Sequence, residues 1–428
     1  MRRHLLFVYL VLLGALVVLL TMDRVERSNG RRRYRATKPR FNVEVVSSPH
    51  EEYAPSTVTP EEGNLCIPWR KIVFIKTHKT ASTTTNTIIQ RYGYLKNLTF
   101  ILPRWSHIFN EKEHFTSRQV FRSTRWLAEG EQQPEFDIMA GHFRYNRPEV
   151  HRLIPNAMYI TILRDPVKRF ESAFGYYEVA KQLGLGRKEN PLDTFMKYPN
   201  RFMRKDMNMK FQLRNGMMFS LGFEEQYYGD ESMIESKIEQ LANELDLVML
   251  SEYYDESLLL LKDLLCWDFE DIHYIPKGYR SERLRNPMSP ELRGRIQSWN
   301  KADAMLYDHF NRTFWKRVEA YGPSFEEDLA YFRHRQEEFV NECIDPQKLR
   351  TIQGKEDALV LRENASMLCR VSYYRVFTFI TDLKLKALEE DNPDSPRLKT
   401  LREEGVENLG LGKRFYNAKE INISQTVQ

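Results

Sequence analysis

With 428 residues, 42% of them apolar, the chain can bury one large α/β core plus an extension, and no internal repeat marks it as a solenoid. Its formal charge of +5 misleads, because ten of the 64 basic residues sit in positions 1–42 against only Asp23 and Glu26, leaving 54 basic and 57 acidic residues beyond. A near-neutral body lacks the basic face that duplex binding needs, which argues against a nucleic-acid partner.

After a short tail at 1–4, Leu5–Met22 supplies about 18 mostly apolar residues, which at ~1.5 Å per residue approach a ~30 Å hydrocarbon core. The run exceeds the roughly 7–15 apolar residues of a cleaved signal peptide, and no small-residue cleavage site precedes Asp23, so 5–22 reads as a transmembrane signal anchor. Arginines flank it on both sides. Arg2 and Arg3 precede the span, while Arg24, Arg27, Arg31, Arg32, Arg33 and Arg35 follow it, and the positive-inside rule would leave the bulk of the chain in the cytosol. The sequons at Asn97, Asn311, Asn364 and Asn422 point the other way, since they are used only in the secretory lumen; Asn311 is also expected to close a helix. Residues 23–64, rich in Arg, Ser, Pro and Glu without periodicity, read as a solvated stem.

The apolar run Ile72–Ile75 reads as a buried parallel strand and Thr84–Arg91 as the helix it feeds, with Lys-Thr-His-Lys-Thr-Ala-Ser-Thr at 76–83 between them. Backbone N–H groups of Thr80, Ala81, Ser82 and Thr83 are expected to point at a phosphate or sulfate, helped by about half a positive charge at the helix start. The nucleotide signature G-x-x-x-x-G-K-[ST] is not met, because Thr77 and Ala81 or Ser82 stand where glycines would be. A sulfuryl group carries one negative charge fewer than a terminal phosphoryl, so Lys76, Lys79 and backbone donors could neutralise it without magnesium. His78, with an ordinary pKa of about 6.5, is placed to take a proton from a sugar hydroxyl; the bland alternative is a turn histidine bonded to the backbone.

Residues 92–155 are irregular and hold Trp105, His107, His114, Trp126 and Gly141-His142-Phe143-Arg144-Tyr145, where acceptor contacts are expected to gather. A sugar offers hydroxyls and an apolar C–H face, which makes His142, Arg144 and Tyr176 the candidate lining. The strand Tyr159–Leu163 ends in Arg164-Asp165-Pro166, and the following helix carries Arg169, Ser172 and Tyr176. Arg164 and Ser172 can converge on one phosphate, or Arg164 can simply pair with Asp165. Leu247–Leu250 is expected as a core strand, Glu256–Leu265 as a helix, His273–Ile275 as a short strand, and Ser289-Pro290-Glu291 as the capped start of a long helix.

The 76–83 loop, and Leu-Arg-Asp-Pro at 163–166 with a serine eight residues after its arginine, resemble the two donor signatures of Golgi sulfotransferases that use 3′-phosphoadenosine 5′-phosphosulfate (PAPS). Leu247–Asp271 and His309–Tyr321 narrow the resemblance to the galactose 3-O-sulfotransferase family. It implies a P-loop-like α/β fold, a central parallel sheet flanked by helices, over residues 65–325, anchored in the Golgi membrane with the catalytic domain luminal. Lys76, Thr77, Lys79, Thr80, Ala81, Ser82 and Thr83 would hold the 5′-phosphosulfate of PAPS, Arg164 and Ser172 its 3′-phosphate, and an arginine matching Arg280 its adenine. His78 would be the base and Lys79 its catalytic companion, with no metal. The implied acceptor is a galactose-terminated glycolipid, such as galactosylceramide, or a glycoprotein glycan.

Residues 326–392 read as a charged, amphipathic helical extension with Phe332, Phe339, Leu361 and Leu368 buried, and 393–428 as a polar tail. Capping the sheet, contact with acceptor lipid and homodimerisation are the roles open to the extension. Cys66, Cys266, Cys343 and Cys369 lack zinc spacing and allow three disulfide pairings or four free thiols. Two other functions compete with sulfuryl transfer: a luminal glycan kinase needing magnesium and ATP, and a catalytically silent glycan-binding membrane protein.

Overall fold

A computed structural model describes residues 66–104, 108–121, 135–203, 207, 209–277, 288–352 and 356–391. The anchor, stem, polar tail, Trp105, His107, Trp126, Arg280 and Asn422 lie outside the described residues, and among those described no helix is long and apolar enough to cross a membrane.

Four short strands form the central sheet: β1 (Ile72–Ile75), β2 (Ile138–Gly141), β3 (Met158–Leu163) and β4 (Leu247–Leu250), in the order β2-β1-β3-β4 and all parallel. Every residue of β1, β2 and β4 is buried, as expected where helices cover both faces of a parallel sheet. The chain steps from β1 outward to β2, then back past β1 to β3. The C-terminal ends of β1 and β3 therefore flank a point where the strand order reverses, the place where open α/β sheets bind ligands. β2 escaped the sequence reading because its four residues, Ile-Met-Ala-Gly, are too few to show alternation.

The helix Ser82–Leu95 packs back onto β2. A Cβ at Gly93 would lie 2.3 Å from Cδ1 of Ile138, so only glycine permits this approach. A second apolar cluster joins Val167, Phe170 and Phe174 of the helix Pro166–Tyr176 to Leu192, Phe195, Leu292 and Ile296. A third gathers Phe339, Cys343, Ile344 and Cys369 in the extension.

Several sequence expectations need correction. Residues 273–275 form no strand: Gln336 accepts from Tyr274 N–H at 3.0 Å and donates to its carbonyl at 2.6 Å, while Arg91 donates to the His273 carbonyl at 2.5 Å. Side chains satisfy that backbone where a ladder would otherwise. The long helix after Ser289 is two, Pro290–Trp299 and Lys301–Tyr321, divided at Asn300; Ser289 caps the first, accepting from Leu292 N–H at 3.2 Å. Asn311 does not close a helix but lies half-buried within Lys301–Tyr321. The extension is not wholly helical: after the helix Phe325–Cys343 comes an antiparallel hairpin, β5 (Ile344–Ile352) and β6 (Glu356–Leu361), then two helices, Met367–Tyr373 and Val376–Asp391. Both of these helices pack against Ser82–Leu95, and Phe332 and Phe339 are buried as expected while Leu361 and Leu368 are half-buried. The cysteines pair Cys66–Cys266 and Cys343–Cys369.

Candidate active site

The loop between β1 and its helix is held by its carbonyls. Ser82 Oγ donates to the Thr77 carbonyl at 2.5 Å and Thr80 Oγ1 to the same oxygen at 3.2 Å. Arg169 Nε donates to the His78 carbonyl at 3.2 Å, and Arg164 Nη1 to the Lys79 carbonyl at 3.0 Å. Thr77 Oγ1 reaches across to the Ile162 carbonyl of β3 at 2.5 Å. With these oxygens taken, the amide N–H groups of the turn are what remains to meet an anion. The helix that follows has Ala81 at its N-cap, so no side chain caps it, and no acidic residue stands in its first turn. Its leading N–H groups thus lack both intrahelical and capping partners, which suits a bound anion.

Lys76 is buried, and burial pushes its ammonium down to about 8, against the pull of Glu111 and with a further push from Lys79. Lys79 is half-exposed and lays its Nζ 3.7 Å from the centre of the Tyr176 ring, itself 49% exposed. Arg164 stands at the end of β3 with its Nε 4.0 Å from Glu252, which also accepts from Asp165 N–H at 3.2 Å. Ser172 is buried in the helix Pro166–Tyr176, two turns beyond Arg164. Thr83 and Ala81 are exposed, while Thr77, Thr80 and Ser82 are buried.

His78 sits at the centre of a cluster. Its Nε2 is 2.6 Å from Glu111 Oε1, its Nδ1 2.7 Å from the Tyr177 hydroxyl, and its ring stacks on His142 at 3.8 Å and 13°. His142 Nδ1 donates to the Lys76 carbonyl at 3.1 Å and lies 3.5 Å from the same Glu111 oxygen. Burial holds His78 below its ordinary pKa, opposed by Glu111, which favours the neutral ring. Burial raises the Tyr177 phenol, keeping it protonated.

The donor atoms of His78, Glu111 and His142 all lie within 4.8 Å of one another, a spacing a divalent cation could span. The charges around them disfavour one. Lys76 and Arg169 act on His78 electrostatically as positive neighbours, and Glu111 is already hydrogen-bonded to the ring.

Arg144 has partners of its own. Its guanidinium bonds the Phe223 carbonyl at 3.1 Å, pairs with Glu224 at 3.0 Å and stacks 4.3 Å from the Phe219 ring. Of the sequon asparagines described, Asn97 and Asn364 are exposed, and Asn97 accepts from Lys386 at 2.5 Å.

Glu111 and the roles of Tyr177 and Arg169 were not read from the sequence. Glu111 is brought in by main-chain bonds: Phe109 N–H donates to the His142 carbonyl at 3.2 Å and Phe115 N–H to the Arg144 carbonyl at 2.8 Å, laying 109–115 alongside 142–144. Its only sequence signal was position in the stretch expected to collect acceptor contacts.

A sequence profile described as galactose-3-O-sulfotransferase matches residues 1–361. A galactosylceramide sulfotransferase of Homo sapiens is 37% identical over 286 residues, 65% of each chain, so the match spans just under two thirds of that protein. One of Bos taurus is 36% identical over 313 residues, 72% of each chain. Galactose-3-O-sulfotransferase 2 of Sus scrofa is 32% identical over 283 residues, 65% of this chain and 69% of that one. Among solved structures, a sulfotransferase from Alicyclobacillus acidocaldarius is 14% identical with a TM-score of 0.33, covering 56% of this chain and 96% of that one, a likeness too loose to build on.

Proposed function

The chain belongs to the galactose-3-O-sulfotransferase family, and from that premise we propose that it transfers a sulfuryl group from PAPS to the 3-hydroxyl of a terminal galactose on a glycolipid such as galactosylceramide. The observation that carries this reading is the meeting, at the C-terminal end of the interior strand β1, of an uncapped helix start flanked by Lys76 and Lys79 with the buried imidazole of His78, held below its ordinary pKa. The names of the human and bovine relatives support the glycolipid acceptor over a glycoprotein one.

The bound donor supplies an activated sulfuryl group on an adenylyl leaving group. The first-turn amides and Lys79 bind and neutralise the phosphosulfate end, and Arg164 with Ser172 holds the 3′-phosphate. His78 takes the proton of the incoming galactose hydroxyl. Two disulfides fit an oxidising compartment, which supports the catalytic body lying in the Golgi lumen behind the 5–22 anchor.

The test is steady-state transfer of radiolabelled sulfate from PAPS to a panel of galactosides. Lys79→Ala should lose two to three powers of ten in turnover and His78→Ala two to four, with adenosine 3′,5′-bisphosphate binding retained in the latter. Full turnover in His78→Ala would exclude it as the base; a requirement for ATP and magnesium would move the protein to a glycan kinase.

A further inference from the structure

His78 has a partner on each ring nitrogen, and the two partners are not equivalent. Glu111 Oε1, 2.6 Å from Nε2, belongs to a carboxylate and can only accept, so Nε2 carries the ring proton. Nδ1 therefore holds the lone pair, and the Tyr177 hydroxyl donates to it at 2.7 Å. The same Glu111 oxygen lies 3.5 Å from His142 Nδ1, whose proton goes to the Lys76 carbonyl, and the His142 ring lies flat against His78. One buried carboxylate, 8% exposed, thus fixes both the proton and the plane of the imidazole.

We propose that Glu111 is the positioning residue for sulfuryl transfer: it holds His78 as the Nε2–H tautomer, so that Nδ1 is the atom that deprotonates the acceptor, whose hydroxyl enters in place of the Tyr177 hydroxyl. This rests on the sulfotransferase reading above. In the step itself the acceptor O–H bond breaks and its proton moves to Nδ1, while the acceptor oxygen forms its bond to sulfur. The bond from sulfur to the leaving phosphate oxygen breaks, and that oxygen keeps the electron pair. The imidazolium so formed keeps Nε2–H on Glu111, which stabilises the new positive charge next to Lys76 and Arg169, the cations that otherwise oppose it.

The experiment uses the detergent-solubilised full-length chain with Glu111→Gln and Glu111→Asp. Glu111→Gln is expected to lower kcat about a hundredfold or more with donor binding within about threefold of wild type, and Glu111→Asp to recover part of the loss. The acidic limb of kcat/KM should move to lower pH in Glu111→Gln, because the charge that raises the His78 pKa is gone; a merely structural role would not move it. Independently of turnover, nitrogen NMR of histidine-labelled wild type should assign an Nε2-protonated ring to His78, as the signal among those of the ten histidines that disappears in His78→Ala. A kcat in Glu111→Gln within threefold of wild type, or His78 protonated on Nδ1, would overturn the proposal. The tautomer measurement decides it even if Glu111→Gln does not fold. If wild type sulfates no galactoside, the functional reading fails, while the tautomer still reports on Glu111.

Discussion

Gly216 offers a substitution whose sign is set by the site. It opens the helix Gly216–Ser220, where replacing glycine by alanine would ordinarily gain up to about 1 kcal/mol in helix preference. Here the added Cβ would fall 2.1 Å from Nη2 and 2.6 Å from Cζ of Arg169, and 2.6 Å from Oε1 of Gln212. Neither side can give way easily. Arg169 is fully buried and tied to the His78 carbonyl at 3.2 Å, to the Gln212 carbonyl at 2.6 Å, and to the Gln212 side chain. The backbone is pinned too, with Asn300 accepting from Asn215 N–H at 2.8 Å and Asp303 from Met218 N–H at 2.8 Å. Overpacking of about 1–3 kcal/mol plus loss of one charge-assisted hydrogen bond, about 1.5–3 kcal/mol, outweighs the helix gain. Gly216→Ala should therefore be less stable by roughly 2–5 kcal/mol in denaturant titration. It should also lose turnover, because Arg169 holds the carbonyl of His78, the proposed base. A variant as stable as wild type or more so would show that Arg169 is not held there.

Two further outcomes follow from charge and connectivity. Folding moves the Lys76 pKa from 10.5 down to about 8, so Lys76 carries its positive charge below about pH 8 and loses it above, and the proposed donor contact should weaken with it. Measured as kcat/KM for PAPS, activity should fall about tenfold per pH unit on that alkaline side, and Lys76→Arg should flatten the limb; a limb unchanged by arginine would assign it to another group. Cys66–Cys266 spans 200 residues and Cys343–Cys369 spans 26, so the loop-entropy relation gives about 5 and about 3.5 kcal/mol. Serine pairs at the first disulfide should lower the thermal midpoint more than those at the second, and the opposite order would contradict that account.

The parts legible in the sequence are those whose local pattern has one reading. Ile72–Ile75 and Met158–Leu163 are short apolar runs ending in charged loops, and helix starts such as Ser289-Pro290-Glu291 carry their own caps. What could not be read depends on contacts far apart in sequence. Gln336 replaces a strand's hydrogen bonds at Tyr274, 62 residues away, and Glu111 reaches His78 across 33 residues by way of the main chain beside His142. The hairpin β5–β6 had a turn signal in Gly354, within the three residues separating its strands, but the charge of the flanking runs masked it and amphipathic character alone misled the reading of the extension.

The absence of glycine from the anion loop is also explained only in three dimensions. Lys79 and Ala81 both adopt φ of 64°, a left-handed conformation that costs non-glycine residues about 1–3 kcal/mol each. Such strain persists only where neighbours over-determine it. Arg164 and Arg169, one from the end of β3 and one from the helix after it, donate to the carbonyls of Lys79 and His78 respectively, and Ser82 closes the turn onto Thr77. Beyond the phosphate contact proposed for it, the second motif therefore holds the backbone of the first in its left-handed turn. On the proposed donor placement Arg164 would serve both tasks at once, so a change there would disturb the sulfuryl end of the donor as well as the 3′-phosphate. Loss of Arg164 should accordingly weaken binding of adenosine 5′-phosphosulfate, which has no 3′-phosphate, and undiminished binding of that ligand would confine Arg164 to the 3′-phosphate alone.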